Sequence, residues 1–134
     1  MQMFRFLALT FLLLGAAPLS AKSITVRMGE AWIFTIVGGQ PANAHKVAAA
    51  TAPASGEIKV TVQHLMGTTM TLTNNSKFDY SYRAVLILPD GKAGPAKSCA
   101  VPANARPALE SWPTRAFAIR LSHFRPAPAG SLCP

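Results

Sequence analysis

The clearest structural pattern in the sequence lies in residues 57–76, which read EIKVTVQHLMGTTMTLTNNS. Every second residue is apolar in two runs of this stretch, namely Ile58, Val60 and Val62, and then Met70 and Leu72. A period of two places one set of side chains on a core and the other in water, because successive residues of a β-strand point to opposite faces. The stretch therefore predicts two half-buried strands joined by a turn.

The same alternation occurs on both sides of this stretch. Residues 24–36 alternate around a Gly-Glu pair, and residues 117–121 alternate near the carboxyl end. Residues 80–88 are apolar enough to predict a central strand that is buried on both faces. A short edge strand is expected within residues 45–51. Because residues 93–112 contain several prolines, we expect mostly loop there, with at most one short strand.

Helical periodicity is not found after residue 22. No long stretch there repeats apolar positions at the spacing of 3.6 residues that an α-helix requires. Strong turn signals instead separate the alternating runs, as at residues 74–77 and 89–92. The pattern predicts an all-β fold, a sandwich of about six to eight short antiparallel strands.

One segment resembles part of a known class of β-sandwich. Residues 69–76, TMTLTNNS, followed by Tyr80-Ser81-Tyr82, resemble a consecutive strand pair of immunoglobulin-like sandwiches in exported proteins. The resemblance implies an immunoglobulin-like topology and implies no function. The chain departs from antibody-type domains, because it lacks a Cys-Trp-Cys arrangement that could join two sheets.

The amino terminus carries the three parts of a secretory signal. Arg5 supplies a positive charge, residues 6–17 form a short apolar core, and small residues lead to a cleavage site after Ala21. The apolar run is shorter than the roughly 20 residues needed to cross a bilayer. We therefore expect residues 1–21 to be a cleaved signal peptide. Residues 22–134 should form one periplasmic or secreted domain without a transmembrane segment.

The two cysteines, Cys99 and Cys133, predict a disulfide. An even count in an exported chain favours one structural bridge. Closing a loop of this length contributes about 4 kcal/mol in the chain-entropy model. The bridge would hold the Pro-rich tail at residues 125–128, and the two cysteines lack the CxxC spacing typical of redox or metal pairs.

One group of soft metal ligands is present, formed by His64, Met66 and Met70. Imidazole and thioether groups suit Cu(I), which an exported protein could encounter. In the competing interpretation, His64 and Met70 are inward core residues, since they continue the phases of Val62 and Leu72. A Cu(I) site is therefore one alternative function, and apart from it no cofactor or metal is expected.

A small secreted hydrolase is a second alternative. Five acids are spread along the chain, and Glu110, close to Trp112, is the acid that a turn explains least. No nucleophile elbow, HExxH motif or phosphate-binding loop is present. An enzyme would need a cleft that unites Glu110, a histidine and Trp112. These motifs favour a non-catalytic interaction or structural module, with Trp112 either plugging one end of the sandwich or forming an exposed binding anchor.

The positive charge is the remaining functional signal. The chain carries +8, and loss of Arg5 with the signal peptide leaves +7 because none of the five acids is removed. If Arg120 and Lys59 share an outer face, they and Arg115 would suit an anionic envelope surface. The competing interpretation is a solvated face that keeps edge strands apart. We expect the partner to be such a surface or another envelope protein, and not nucleic acid, because no recognition helix is predicted.

Overall fold

The computed structural model describes residues 23–128 as nine β-strands with no α-helix in that range. The strands are β1 (Ile24–Arg27), β2 (Ala31–Val37), β3 (Gln40–Val47), β4 (Ile58–Gln63), β5 (Thr68–Asn74), β6 (Tyr80–Ile87), β7 (Ala93–Ala96), β8 (Pro107–Trp112) and β9 (Ala118–Pro126). Within this range no helix has the length and apolar character to cross a bilayer. The expected signal peptide and Cys133 lie outside the described residues.

The strands form two antiparallel sheets. One sheet has four strands in the order β1-β9-β6-β7, and the other has five in the order β3-β2-β4-β5-β8. The chain crosses from one sheet to the other after β1, β5, β7 and β8. The all-β prediction is confirmed and the two-sheet, sandwich-like arrangement is supported, although there are nine strands where we expected six to eight.

Apolar side chains from both sheets meet in one core. The two strands predicted within residues 57–76 supply part of this core. Their fully buried side chains are those of Ile58, Val60, Val62, Met70 and Leu72. Phe34 and Phe124 come from different sheets, and their ring centroids are 5.4 Å apart. Tyr82 stacks on Phe124 at 5.5 Å. Each large side chain buried here contributes about 1.5–3 kcal/mol to folding.

Residues 93–112 contain two strands, so the expectation of mostly loop was wrong. Both β7 and β8 lie at an edge of their sheet, where a missing N–H group interrupts no ladder of hydrogen bonds. Pro95 lies within β7 opposite Val85, and Pro107 is the first residue of β8. Proline is tolerated at both kinds of position, which is why the number of prolines did not exclude strands.

Two other strands differ from their predictions in part. β6 is central, as expected, because it lies between β9 and β7. Its predicted burial on both faces was wrong, since only Ala84 is fully buried and Arg83 is exposed. β3 is an edge strand, as expected, but it covers Gln40–Val47 and so begins before the predicted segment.

A bulge in β9 changes which side chains face the core. Arg83 pairs with Ser122 and Ser81 pairs with Arg125. Between these two pairs β9 has two residues, His123 and Phe124, where β6 has only Tyr82. His123, with a φ of 55°, lies in this irregular segment. Such an insertion shifts the alternation by one residue. As a result Phe124 is buried and Arg125 is exposed on the outer side, opposite Ser81.

Candidate anion-binding face

Four arginines lie on the outer face of the four-stranded sheet. In β9, Ile119 and Leu121 are buried, so Arg120 between them faces away from the core. Its neighbours across the strands are Thr25 of β1 and Val85 of β6. We call the four residues the arginine row, and they are Arg27 of β1, Arg83 of β6, and Arg120 and Arg125 of β9.

The strand register spaces the arginine row evenly. Each arginine lies one diagonal position from the next, in the order Arg27, Arg120, Arg83, Arg125. Diagonal neighbours on one face of an antiparallel pair are about 7–8 Å apart. At a rise of about 3.3 Å per residue, the row extends over about 20 Å along the strands. This length and spacing fit a chain or surface with several negative charges better than they fit one small anion.

The four strands of this sheet contain no acidic residue. All five acidic side chains lie outside these strands and accept backbone N–H groups, four of them from positions in turns or loops and Glu110 from β8 of the other sheet. The pairs of acid and donor are Glu30 with Arg27, Glu57 with Ala54, Asp79 with Ala103, Asp90 with Lys92, and Glu110 with Cys99. The four strands therefore offer the arginine row no carboxylate. The carboxylate of Glu30, which accepts the backbone N–H of Arg27, forms its ion pair with Lys46.

Residues 23–128 contain one ion pair, and it lies beside the five-stranded sheet. Lys46 Nζ is 2.6 Å from Glu30 Oε2. The hydrogen bond from Lys46 lowers the pKa of Glu30 to about 2, the N–H of Arg27 and the indole of Trp32 act in the same direction, and partial burial opposes them. The ion pair compensates a lysine that is not part of the arginine row.

The predicted basic patch is composed differently from the expectation. Arg120 faces outward as expected, but Lys59 does not share its face, because β4 and β9 belong to different sheets. Lys59 pairs with Thr73, and its ammonium group donates to the carbonyl oxygen of Ala49. Arg115 is exposed in the loop before β9. Of the basic candidates, only Arg120 therefore belongs to the arginine row.

The structure separates the three candidate copper ligands. Met70 is 0% exposed in the core, whereas Met66 is 100% exposed in the turn between β4 and β5. His64 is exposed in that turn, and its Nδ1 lies 3.2 Å from the carbonyl oxygen of Gly67. The inward position expected for His64 was wrong, because β4 ends at Gln63. The thioether of Met70 cannot reach a metal held at the exposed turn, so these residues do not form one site.

No group of three or more His, Cys, Asp or Glu side chains that could hold a metal ion occurs within residues 23–128.

Glu110 and Trp112 of β8 hold the segment that connects β7 to β8. Oε1 of Glu110 accepts the N–H of Cys99 at 2.7 Å, and the indole of Trp112 donates to the carbonyl oxygen of Lys97 at 3.0 Å. Trp112 also packs against the core, as the plug interpretation predicts. Burial raises the pKa of the Tyr82 hydroxyl, and the negative charge of Glu110 adds to the shift. These contacts are structural, and they involve no histidine.

The disulfide prediction depends on a residue beyond the described range. Cys99 is half-buried in the segment between β7 and β8. Cys133 lies outside residues 23–128, so its pairing with Cys99 stays a prediction.

A groove of about 480 Å³ lies where β5 leads into β6. Phe78, Tyr80 and Asn104 are among its lining residues, and Lys77 is the cation among them. A volume of this size is typical of small-molecule sites. One lysine attracts an anion more weakly than four aligned arginines, so the arginine row is the stronger anion site.

The fold and the arginine row define a sandwich-like β-protein with a cationic outer face. Comparisons with protein-family models, curated proteins and solved structures found no match for this chain. The function is therefore argued from the site, since a fold alone does not imply one.

Three members of the row, Arg27, Arg83 and Arg125, were not among the residues predicted to bind an anionic surface. Arg27 and Arg83 occupy polar positions of alternating strands, in the same way as Arg120, and this signal could have identified them. Arg125 carries no such signal, because the bulge in β9 shifts the alternation before it. The missing information was the pairing of β1, β6 and β9, which lie far apart in the sequence.

Proposed function

We propose that this chain is an exported, non-catalytic module of the periplasm or cell envelope, and that the arginine row binds anionic groups of that envelope. The observation that carries the proposal is the alignment of four arginines on a sheet whose strands contain no acid. The chemical groups in question are the phosphates and carboxylates of envelope polymers or lipids.

Guanidinium groups suit these ligands. They keep their charge at every physiological pH, and their planar donors bind phosphate or carboxylate oxygens in pairs. Each cation near an anionic surface contributes about 1 kcal/mol, so four give about 4 kcal/mol, or about a thousandfold in affinity. The two-sheet scaffold is a rigid support that keeps the spacing of the row fixed without any ligand.

Three further features belong to this proposal. We infer that residues 1–21 direct export, that Cys99 pairs with Cys133 in the oxidising compartment, and that the topology is immunoglobulin-like. The three-part amino terminus, the even cysteine count and the nine-stranded, two-sheet architecture support these inferences. Mass spectrometry of the exported protein, before and after thiol alkylation, tests the cleavage site and the bridge together.

Heparin, a soluble polyanion, tests the arginine row. We expect the mature protein to remain on a heparin column to about 0.5 M salt, well above the 0.15 M at which ordinary surface electrostatics is screened. The variant Arg83→Gln/Arg120→Gln should elute much earlier. The matched control Lys59→Gln/Arg106→Gln removes the same charge outside the row and should elute close to the wild type. Equal shifts for both variants would show that net charge, and not the row, determines binding.

A further inference from the structure

Three exposed apolar side chains lie at one end of the molecule. Leu65 is 58% and Met66 100% exposed in the turn between β4 and β5, and Phe117 is 49% exposed just before β9. The two segments are in contact, because the hydroxyl of Thr68 donates to the carbonyl oxygen of Thr114 at 2.7 Å and accepts the N–H of Ala116 at 2.8 Å. We call Leu65, Met66 and Phe117 the apolar end.

The turn that carries Leu65 and Met66 is held firmly at its base. The hydroxyl of Thr69 donates to the carbonyl oxygen of Leu65 at 3.2 Å. Gly67, with a φ of +112°, packs so closely that an added Cβ would lie 2.2 Å from the carbonyl oxygen of Trp112. The turn is therefore fixed against the start of the loop that leads to Phe117.

The backbone of this turn is strained at its most exposed residue. Met66 has a φ of 53°, a left-handed backbone conformation that residues other than glycine rarely adopt. Strain of this kind costs about 1–3 kcal/mol and is often found at functional sites. The strain and the anchored base together display two apolar side chains to solvent in a fixed orientation.

Positive charge surrounds the apolar end. The guanidinium carbon of Arg27, the first member of the arginine row, lies 5.5 Å from the ring centroid of Phe117. Arg115 is exposed two residues before Phe117. Phe117 exchanges backbone hydrogen bonds with Met28 and Ile87, which lie beside the turns that carry Glu30 and Asp90. Of these two acids, Glu30 pairs with Lys46, and Asp90 accepts the backbone N–H of Lys92. Apolar side chains bordered by cations match one leaflet of an anionic lipid bilayer, in which the acyl chains lie below a region of phosphate groups.

We propose that the apolar end inserts into the interface of an anionic lipid bilayer while Arg27 and Arg115 bind lipid phosphates. The inference rests on the proposed function and selects lipid as the source of the anionic groups. Peripheral proteins bind membranes more strongly when buried apolar area adds to electrostatic attraction. A second protein copy fits less well, because stable protein interfaces bury about 800 Å² per partner and three side chains on two turns offer much less.

Vesicle binding tests the inference. Sedimentation of the mature protein with vesicles of phosphatidylcholine alone, or of equal parts phosphatidylcholine and phosphatidylglycerol, should show binding only to the anionic mixture. Leu65→Ser/Met66→Ser should weaken that binding by at least about tenfold, from the transfer free energy of two apolar side chains. Its heparin elution should stay that of the wild type. The matched control Leu109→Ser changes an exposed leucine on the outer face of β8 and should leave both unchanged.

The outcomes separate the two proposals. A wild-type protein that binds heparin but not anionic vesicles overturns the membrane inference and leaves the arginine row intact. Binding to neither probe means that the proposed function itself is wrong. Undiminished vesicle binding by Leu65→Ser/Met66→Ser also overturns the inference, as does a wild-type dimer that this variant disrupts, since the apolar end would then be an interface between copies.

A gain of signal provides the second measurement. Met66→Trp should gain blue-shifted tryptophan emission on adding the anionic vesicles and no shift with phosphatidylcholine alone. Unchanged emission with the anionic vesicles would place residue 66 in water and contradict insertion. Thermal unfolding of each variant confirms that the fold is retained, which is expected because Leu65 and Met66 are exposed.

Discussion

The two outer faces of the sandwich-like fold are built from the same alternation and differ in charge. The outer face of the four-stranded sheet carries the arginine row and no acid. The outer face of the five-stranded sheet carries Thr71 and Thr73 of β5 and also Lys59, whose ammonium group donates to the carbonyl oxygen of Ala49 in the loop between β3 and β4. Both faces satisfy the requirement for polar residues in water, but only one concentrates cations.

The contrast between the two faces shows that polar alternation alone does not require charged residues. Threonine fits a pleated surface and needs no partner beyond water. Neighbouring like charges on one face destabilise a sheet by a few tenths of a kcal/mol to about 1 kcal/mol. A face that keeps four arginines without compensation therefore carries a cost that the threonine face avoids, and an anionic ligand would remove that cost.

The largest expected effect tests the bulge that puts Arg125 on the cationic face. Phe124→Ala should cost about 3–5 kcal/mol, because the ring is fully buried against Phe34 and Tyr82. Phe117→Ala, in the same region of the chain but half exposed, should cost less than about 1 kcal/mol. Urea unfolding of both variants measures the two values. A loss for Phe124→Ala as small as that for Phe117→Ala would mean that Phe124 is not buried, and would contradict the bulge that turns Arg125 outward.

An intermediate effect distinguishes the arrangement of cations from their number. Arg83→Gln/Arg120→Gln should bind heparin about 30-fold more weakly, at about 1 kcal/mol per cation. Adding Ser55→Arg and Ser111→Arg, two exposed positions outside the arginine row, restores the net charge. We expect this four-site variant to remain as weak as the double variant. Calorimetric titration with heparin measures both, and recovered affinity would remove the distinction between the two faces.

The smallest effect concerns the ion pair beside the five-stranded sheet. The pKa of Glu30 is lowered from 4.5 to about 2 by Lys46, so its contribution is complete above pH 4.5 and is lost as the pH falls toward 2. Glu30→Gln should remove this part of the pH dependence, about 1 kcal/mol or less because Lys46 is exposed. Thermal unfolding of the wild type and of Glu30→Gln between neutral and acidic pH measures this contribution. Lys46→Met should reduce the same pH dependence. A parallel pH profile for wild type and Glu30→Gln would contradict the assignment.

The strands were predicted best where one face is buried and no special residue interrupts. Ile58, Val60 and Val62 follow the alternation through β4, and Met70 and Leu72 follow it through β5. The edge strands β7 and β8 were missed, because Pro95 and Pro107 signal loops equally well. The candidate site was predicted only at Arg120, since membership of a face depends on which strands pair.

The sequence by itself determined the all-β class, because a period of two can bury one set of side chains only in sheets. The sequence also shows that basic residues outnumber acidic ones, by 13 to 5. Which bases share one face depends on the pairing of distant strands, because the register of β1, β9 and β6 brings Arg27, Arg83, Arg120 and Arg125 onto one side of the sheet. Only the tertiary structure decided that Arg125 faces outward, since the bulge at His123 reverses the alternation that the sequence displays.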